Sequence, residues 1–486
     1  MNRIAIDSVQ LRLIPAHNRL PLKFGAEIVT SVECLRVACT VTDGAGHHAT
    51  GYGETPVAVQ WAWPDPSPFT MRLDQMIAFA KHIASGWAAA GANGFSHPFR
   101  FEHHFIEDIL PASVAAFHKN APTDPASGKK VAIPTLASLV VFSAFDLALY
   151  DAVGKLLNRP VFSLFDKGTP PDPLGSFVDP QRAPKGLPDS TLSDHLLPER
   201  KDSLLVWHLI GGLDPLTADD PVGTQPNDGV PVFLDDWIRS DGLKALKVKL
   251  RGTDAAWDYE RLVRVGEMAE AQDVDWLSAD FNCCVHEPAY VTDILDRLRV
   301  DAPRAYGRLL YVEQPFPYEL EEHPIDVHSV SARVPLFLDE SAHDWRVVES
   351  GRQLGWNGVA LKTCKTLTGA LLSAAWAQAS GMTLMVQDLT NPMLAMISHC
   401  QLAAHLPTIA GIECNAMQFY PAASAPEAVV HPGMFQRKNG RLDLTTIRGP
   451  GFGYRIDEIK RTLPEPVDAQ TQAQDLSSRK SLATFA

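Results

Sequence analysis

Downstream of residue 203 the chain repeats one pattern: a short apolar run, a charged or polar tip, then a longer stretch with apolar residues at helical spacing. The apolar runs at 204–210, 245–250, 276–281, 309–314, 335–340, 358–363, 383–388 and 409–414 predict eight strands. The segments 233–240, 254–271, 288–300, 317–331, 344–354, 367–380 and 392–405 predict the helices between them. Such alternation implies a parallel sheet covered by helices, and eight units in this length match a closed (β/α)8 barrel. A doubly wound open sheet is the competing arrangement. No G-x-G-x-x-G follows any of the strands, which argues against a dinucleotide site.

The N-terminal third reads differently. Residues 3–13 and 33–43 alternate apolar and polar as antiparallel strands do, and Gly51-Tyr52-Gly53-Glu54-Thr55-Pro56 closes a third strand. Residues 20–26, with Phe24, are expected as a loop; a second loop with Trp61 and Trp63 follows Pro56. Helices are predicted over 71–92 and 136–158, the second ended by Pro160. The expected division is an α+β unit over 1–165 and a Pro/Gly/Asp-rich linker or insertion over 166–203. The barrel then covers 204–430, a C-terminal segment 431–463, and a polar, mobile tail 464–486.

Composition narrows the function. At 486 residues, 45% hydrophobic and 21% charged, the chain can bury large cores. A formal net charge of −14 argues against nucleic acid or anionic membrane as a partner. The sequence shows no run read as a bilayer span and no secretory signal, and its seven cysteines are expected as buried reduced thiols, so the expected location is cytoplasmic.

The strand tips carry the chemistry. Asp280, Glu313 and Asp339 end three consecutive strands, whose tips in a barrel stand about 5 Å apart. Three carboxylates so close repel one another unless a cation lies between them, and an all-oxygen set favours Mg²⁺, with Mn²⁺ possible, over zinc. Asn282 and Glu340 are placed to support these ligands. Lys247 and Lys249 are two apart on one strand and share its inner face, while Lys362 ends the strand opposite; Lys365 falls in the following loop. Burial and neighbouring cations are expected to lower a lysine's pKa enough for it to serve as a base. The set predicts abstraction of the proton next to a substrate carboxylate, with Lys249 and Lys362 as base and acid and Lys247 and the metal stabilising the enediolate.

These residues resemble the enolase superfamily, and within it the mandelate racemase/muconate lactonizing enzyme family, in its muconate-lactonizing-enzyme-like subgroup. The resemblance rests on Phe145-Asp146-Leu147-Ala148-Leu149-Tyr150-Asp151 with Gly154-Lys155, Lys247-x-Lys249, Asp280-x-Asn282, Glu313-Gln314-Pro315, Asp339-Glu340-Ser341, Lys362 and Pro450-Gly451-Phe452-Gly453. It implies a modified (β/α)8 TIM barrel closed by an α+β capping domain that the N-terminal part and the C-terminal segment form together. The loops around 20–27 and 54–64 would lie over the substrate, with Phe24 and Glu54 among the contacts. It also implies a small-molecule carboxylate substrate and a symmetric homo-oligomer. Three departures stand out. The sixth and seventh strands carry Lys362 and Gln387-Asp388 in place of the Asp-His dyad of mandelate racemases. The last strand reads Glu413-Cys414-Asn415 where dipeptide epimerases have Asp-x-Asp for the substrate ammonium. The sixth-strand loop reads Lys365-Thr366-Leu367-Thr368-Gly369 where relatives usually have a glycine pair. Asp388 and Glu413 are expected at the substrate. The expected activity is that of an isomerase (racemase, epimerase or cycloisomerase), the alternative being a lyase of the dehydratase or o-succinylbenzoate-synthase kind. A non-catalytic carboxylate-binding protein is the remote alternative.

Overall fold

A computed structural model of the chain describes residues 3–24, 27–167, 172–223 and 225–471. β1 (Ala5–Phe24) and β2 (Glu27–Thr42) form a long antiparallel hairpin, and β3 (His48–Pro56) pairs with β2. The stretch 20–24, expected as loop, instead continues β1, with Leu22 opposite Val29 and Lys23 opposite Ile28. Its alternation lapses because the register shifts between His17 and Leu22, and Leu22, Val29 and Val32 turn an apolar face towards the barrel mouth. Gly25, Ala26 and the side chain of Phe24 lie outside the described residues.

α1 (Phe69–Ala92) and α2 (Thr135–Leu156) cover this sheet. Two glycines let α2 lie directly on β3. A Cβ on Gly51 would stand 2.0 Å from Ala152 N, and one on Gly53 2.0 Å from Ala144 O. Contrary to the expectation from sequence, α2 is long and apolar enough to cross a bilayer, but residues 136–154 of it are buried within the protein.

The barrel strands are β4 (Ser203–Ile210), β5 (Ala245–Lys249), β6 (Trp276–Asp280), β7 (Leu309–Glu313), β8 (Leu336–Leu338), β9 (Gly358–Leu361), β10 (Thr383–Gln387) and β11 (Thr408–Glu413). They run parallel in chain order, and β11 returns to β4 with Ile412 opposite Val206 and Glu413 opposite Trp207. That closure excludes the doubly wound sheet. Between the strands lie α3 (Leu234–Asp241), α4 (Ala255–Ala271), α5 (Pro288–Asp301), α6 (His328–Ser331), α7 (Trp345–Leu354), α8 (Leu367–Ala379) and α9 (Met393–His405). Only the last turn of the helix expected over 317–331 forms, since Pro324 lacks the amide that an interior helical position needs. Inside the barrel, Trp207, Ala245, Tyr311, Phe337 and Met385 pack as a plug, and Lys247, Lys249, Asp339, Lys362 and Glu413 line the cavity at the mouth.

The chain then returns to the first domain by an unexpected route. β12 (Arg441–Asp443), in the segment expected to complete the cap, pairs antiparallel with β4 of the barrel. The fourth cap strand is β13 (Asp468–Thr471), from the stretch expected as tail, where Gln10 faces Ala469. Residues 472–486 lie outside the described residues. Gly451 bridges to Pro160, and Phe452 N donates to Asp151 on α2 at 2.8 Å. The described part of 166–203 packs on the barrel's outside rather than spanning a gap. Arg182 pairs with Glu349 on α7 at 2.6 Å, and Gln378 Nε2 on α8 donates to His195 O.

Candidate active site

Every second residue of a barrel strand points inward. Ala245 belongs to the plug, so Lys247 and Lys249 stand above it on the same face, as Glu313 stands above Tyr311 and Gln387 above Met385. Asp280 and Glu313 are register partners on adjacent strands, and Asp339 follows β8 directly. The predicted tips therefore meet in one buried cluster. Lys247 Nζ lies 2.5 Å from Glu313 Oε1, 2.9 Å from Glu413 Oε2 and 3.1 Å from Asp280 Oδ2. Lys249 pairs with Asp280 and donates to Asn282 Oδ1 at 2.9 Å. Lys362 Nζ is 3.2 Å from Asp339 Oδ2 and donates to Asp388 O at 3.2 Å.

The electrostatics follow from this pairing. Burial opposes the charge of Lys362, but Asp339 outweighs it and holds the ammonium above its ordinary range; Lys247 is raised in the same way by Glu313, Glu413 and Asp280. The expected lowering of Lys362's pKa is thus reversed, because carboxylates and not cations are its nearest neighbours. Burial also opposes the Asp280 charge, and Lys249 and Lys247 nevertheless pull its carboxyl below the usual range. Burial, then Asp339 and Asp280, push Glu340 up to about 7, and burial with Glu413 does the same to Asp388.

The site opens into a cavity of about 70 Å³ lined by Lys247, Lys249, Lys362, Asp339, Asp388 and Glu413, and roofed by Leu22, Val29 and Val32 of the hairpin. Trp61 lines it too, its ring 5.6 Å from Lys362 Nζ. Glu54 does not line it. Buried at 1% exposure, its carboxylate bonds Arg36 Nε at 2.5 Å and accepts from Leu394 N at 3.1 Å, so it joins the cap to the start of α9 instead of touching substrate. Asn282 caps Asp280 through its backbone amide at 2.8 Å, whereas Glu340 makes no hydrogen bond to a ligand carboxylate among the described residues.

Two residues of the site carry little weight in the sequence, which offers Lys365 as a weaker candidate lysine and Gln387 only as a departure from the mandelate racemase pattern. Gln387 Nε2 donates to Glu313 Oε2 at 2.5 Å; it ends a strand as the charged tips do, but an amide carries no charge to betray it. Lys365, expected in a loop, is buried on Asp339, donating to its carbonyl at 2.6 Å. Its place three residues after Lys362, on the turn that Thr366 closes at φ 70°, is the signal that was available.

The donor set suits a hard divalent cation. Three buried carboxylates supply only oxygens, and Asp339 Oδ1, buried, accepts no hydrogen bond among the described residues, with Lys365 Nζ at 3.5 Å. The ammonium groups meanwhile stand among the carboxylates, and no three His, Cys, Asp or Glu side chains among the described residues converge as a metal cage.

Residues 232–460 match the family model described as enolase C-terminal domain-like. The matched residues carry the barrel strands from β5 to β11 and are enolase C-terminal domain-like. Members of this superfamily are enzymes, and so is this chain. No curated protein sequence matches it. Solved structures similar to this enolase-like chain include the L-Ala-D/L-Glu epimerase from Bacillus subtilis, 18% identical with a TM-score of 0.62, covering 92% of this chain and 98% of that one. A dipeptide epimerase from Cytophaga hutchinsonii, complexed with Mg and the dipeptide D-Ala-L-Val, is 17% identical with a TM-score of 0.59 over 97% and 98%. A muconate lactonizing enzyme from Mycobacterium smegmatis, complexed with muconolactone, is 17% identical with a TM-score of 0.55 over 93% and 96%. At these identities they establish the shared architecture: a barrel with a separate antiparallel cap.

Proposed function

We propose that this chain is a Mg²⁺-dependent isomerase in which one lysine removes the proton α to a substrate carboxylate and another lysine delivers a proton, racemising, epimerising or cycloisomerising its substrate. One observation carries the reading: Lys249 and Lys362, on strands four apart in the barrel, line the same small cavity, each anchored by a carboxylate from a neighbouring strand. Two amines on opposite walls can each reach one face of an α-carbon, which inversion of that carbon requires.

Asp280, Glu313 and Asp339 would hold the ion. Bound there, it would polarise the substrate carboxylate and supply the positive charge that the lysines now give those carboxylates. Lys247 supports the negative charge that develops on the substrate, being fixed between Glu313 and Glu413. Gln387 and Asn415 hold Glu313 and Glu413 in place, the latter through Nδ2 to Oε1 at 3.1 Å. The hairpin roof and Trp61 cover the site, and the lysine that delivers the proton exchanges with solvent before the substrate enters.

The epimerases among the similar structures favour isomerisation over elimination. Glu413 is engaged by Lys247 and Asn415, which favours a substrate without a free ammonium at that point. The test is incubation in D₂O with Mg²⁺ and a panel of N-acyl amino acids, dipeptides, muconates and acid sugars, read by proton NMR. Deuterium entering the α-position without loss of water is the expected result; release of a β-substituent would mark a lyase, and no exchange with any acid would end the proposal.

A further inference from the structure

Beside the catalytic cavity lies a second one of about 260 Å³, and Lys249 is the residue that walls both. Its polar lining comes from three places: Lys23 on the hairpin, Arg251 and Thr253 after β5, and Asn282 and Cys284 after β6. Three cationic side chains thus face one chamber, Lys249 paired with Asp280 and Arg251 with Asp254 behind them, and among the described residues no aspartate or glutamate lines it. A cleft lined by charge of one sign concentrates its field on whatever enters, and here it selects an anion.

Arg251 is held ready for one. Its guanidinium lies 4.1 Å over the Trp257 ring, with Nη1 3.0 Å from Asp254, which leaves the rest of the fork to a ligand. The turn beneath is rigid. Asp258 accepts from Arg251 N at 2.7 Å and Gly252 N at 2.9 Å, and Gly252, at φ +68°, leaves no room for a Cβ, which would stand 2.8 Å from Cys284 Cβ. Lys23 lines the chamber from the hairpin and makes no ion pair among the described residues. The catalytic cavity is different in kind, with an apolar roof and with Asp339, Asp388 and Glu413 in its own lining.

We propose that the second chamber is a subsite for a distal oxyanion, so that the substrate is a dianion. Its reacting carboxylate lies in the catalytic cavity, and a second carboxylate or a phosphate-type group, beyond Lys249, is held by Arg251 and Lys23. The Thr253 hydroxyl adds a neutral donor. This rests on the reading above that Lys249 works at the α-carbon, since Lys249 is then the point that the two ends of the substrate straddle.

The test is titration calorimetry on the full chain with saturating Mg²⁺, using hexanoate, adipate and phosphonopentanoate. These are chains of similar length ending in a methyl group, a carboxylate or a phosphonate. Both dianions are expected to bind about tenfold tighter than hexanoate, the gain of one charge-assisted contact. Whichever dianion is tighter names the group. In Lys23→Gln/Arg251→Gln the gain is expected to vanish, while hexanoate, which brings no charge to the subsite, binds as before. Hexanoate binding with no gain for either dianion, or a gain that survives the double substitution, overturns this inference alone. Failure of all three acids to bind overturns it together with the carboxylate site on which it rests.

Discussion

Asp146 Oδ1 accepts the Thr368 hydroxyl at 2.6 Å, and the other oxygen of the same carboxylate accepts Leu367 N at 2.6 Å. A carboxylate on the cap helix α2 thus caps the barrel helix α8, which begins one turn after Lys362. Thr366, at φ 70°, lies between them, in a conformation that a non-glycine residue keeps only when its surroundings enforce it. Asp146→Ala leaves two buried donors short of an acceptor and is expected to cost about 2–4 kcal/mol in stability, measured by urea unfolding.

The same carboxyl makes stability depend on pH. Burial pushes Asp146 up to about 7 from an ordinary 3.8, against the pull of its hydrogen bonds from Thr368 and Leu367. The folded chain therefore keeps a proton that the unfolded chain releases, and stability is lost as pH rises from about 4 through 7. The melting temperature of the native chain is expected to fall from pH 5 to pH 8 by more than that of Asp146→Asn, by differential scanning calorimetry. An equal or smaller fall would contradict the assignment.

Much of this was legible in the sequence, and the reason is physical. A charged residue at the end of an apolar run is costly unless other such ends meet it, so Lys249, Asp280, Glu313, Asp339 and Lys362 marked their strands and one another. What stayed hidden is what distance along the chain conceals. Glu54 looked like a residue at a lid, but its partners, Arg36 and Leu394, come from elsewhere in the fold. Asp468–Thr471 lacks an apolar pattern because an edge strand gains its place from backbone pairing with β1 and buries little. Gln387 and Lys365 act by hydrogen bonds that spacing alone does not predict.

Lys249→Ala and Lys362→Ala are each expected to lower kcat by about 10²–10⁴-fold, the range for a positioned acid or base. Substrate presented as a single enantiomer would separate the two. One variant should keep α-proton exchange without inversion, and the other should lose both, by NMR and polarimetry. Retention of full turnover in either would reject the two-lysine arrangement.

Chelation is expected to abolish turnover, and added Mg²⁺ or Mn²⁺ to restore it. Asp280→Asn should raise the concentration of metal needed for half-activity at least tenfold, by activity titration. Full activity in excess chelator would remove the ion from the mechanism.

Glu54→Ala should act on stability and not on substrate. Arg36, 3% exposed, lies between Glu54 and Glu427, 3.6 Å from the latter, and losing one member strands a buried charge at a cost of about 3–5 kcal/mol. The expected result is a lower unfolding midpoint with KM unchanged in the surviving folded protein. A raised KM at full stability would return Glu54 to the substrate.

The pairing of Gln10 with Ala469 has a consequence for how the molecule is made. At roughly 5–20 residues per second, β13 leaves the ribosome on the order of half a minute or more after β1. For that interval the outer edge of β1 waits without its neighbour while the whole barrel is synthesised. Early folding of the cap is therefore provisional, and a nascent chain is most exposed to edge-to-edge association during this delay.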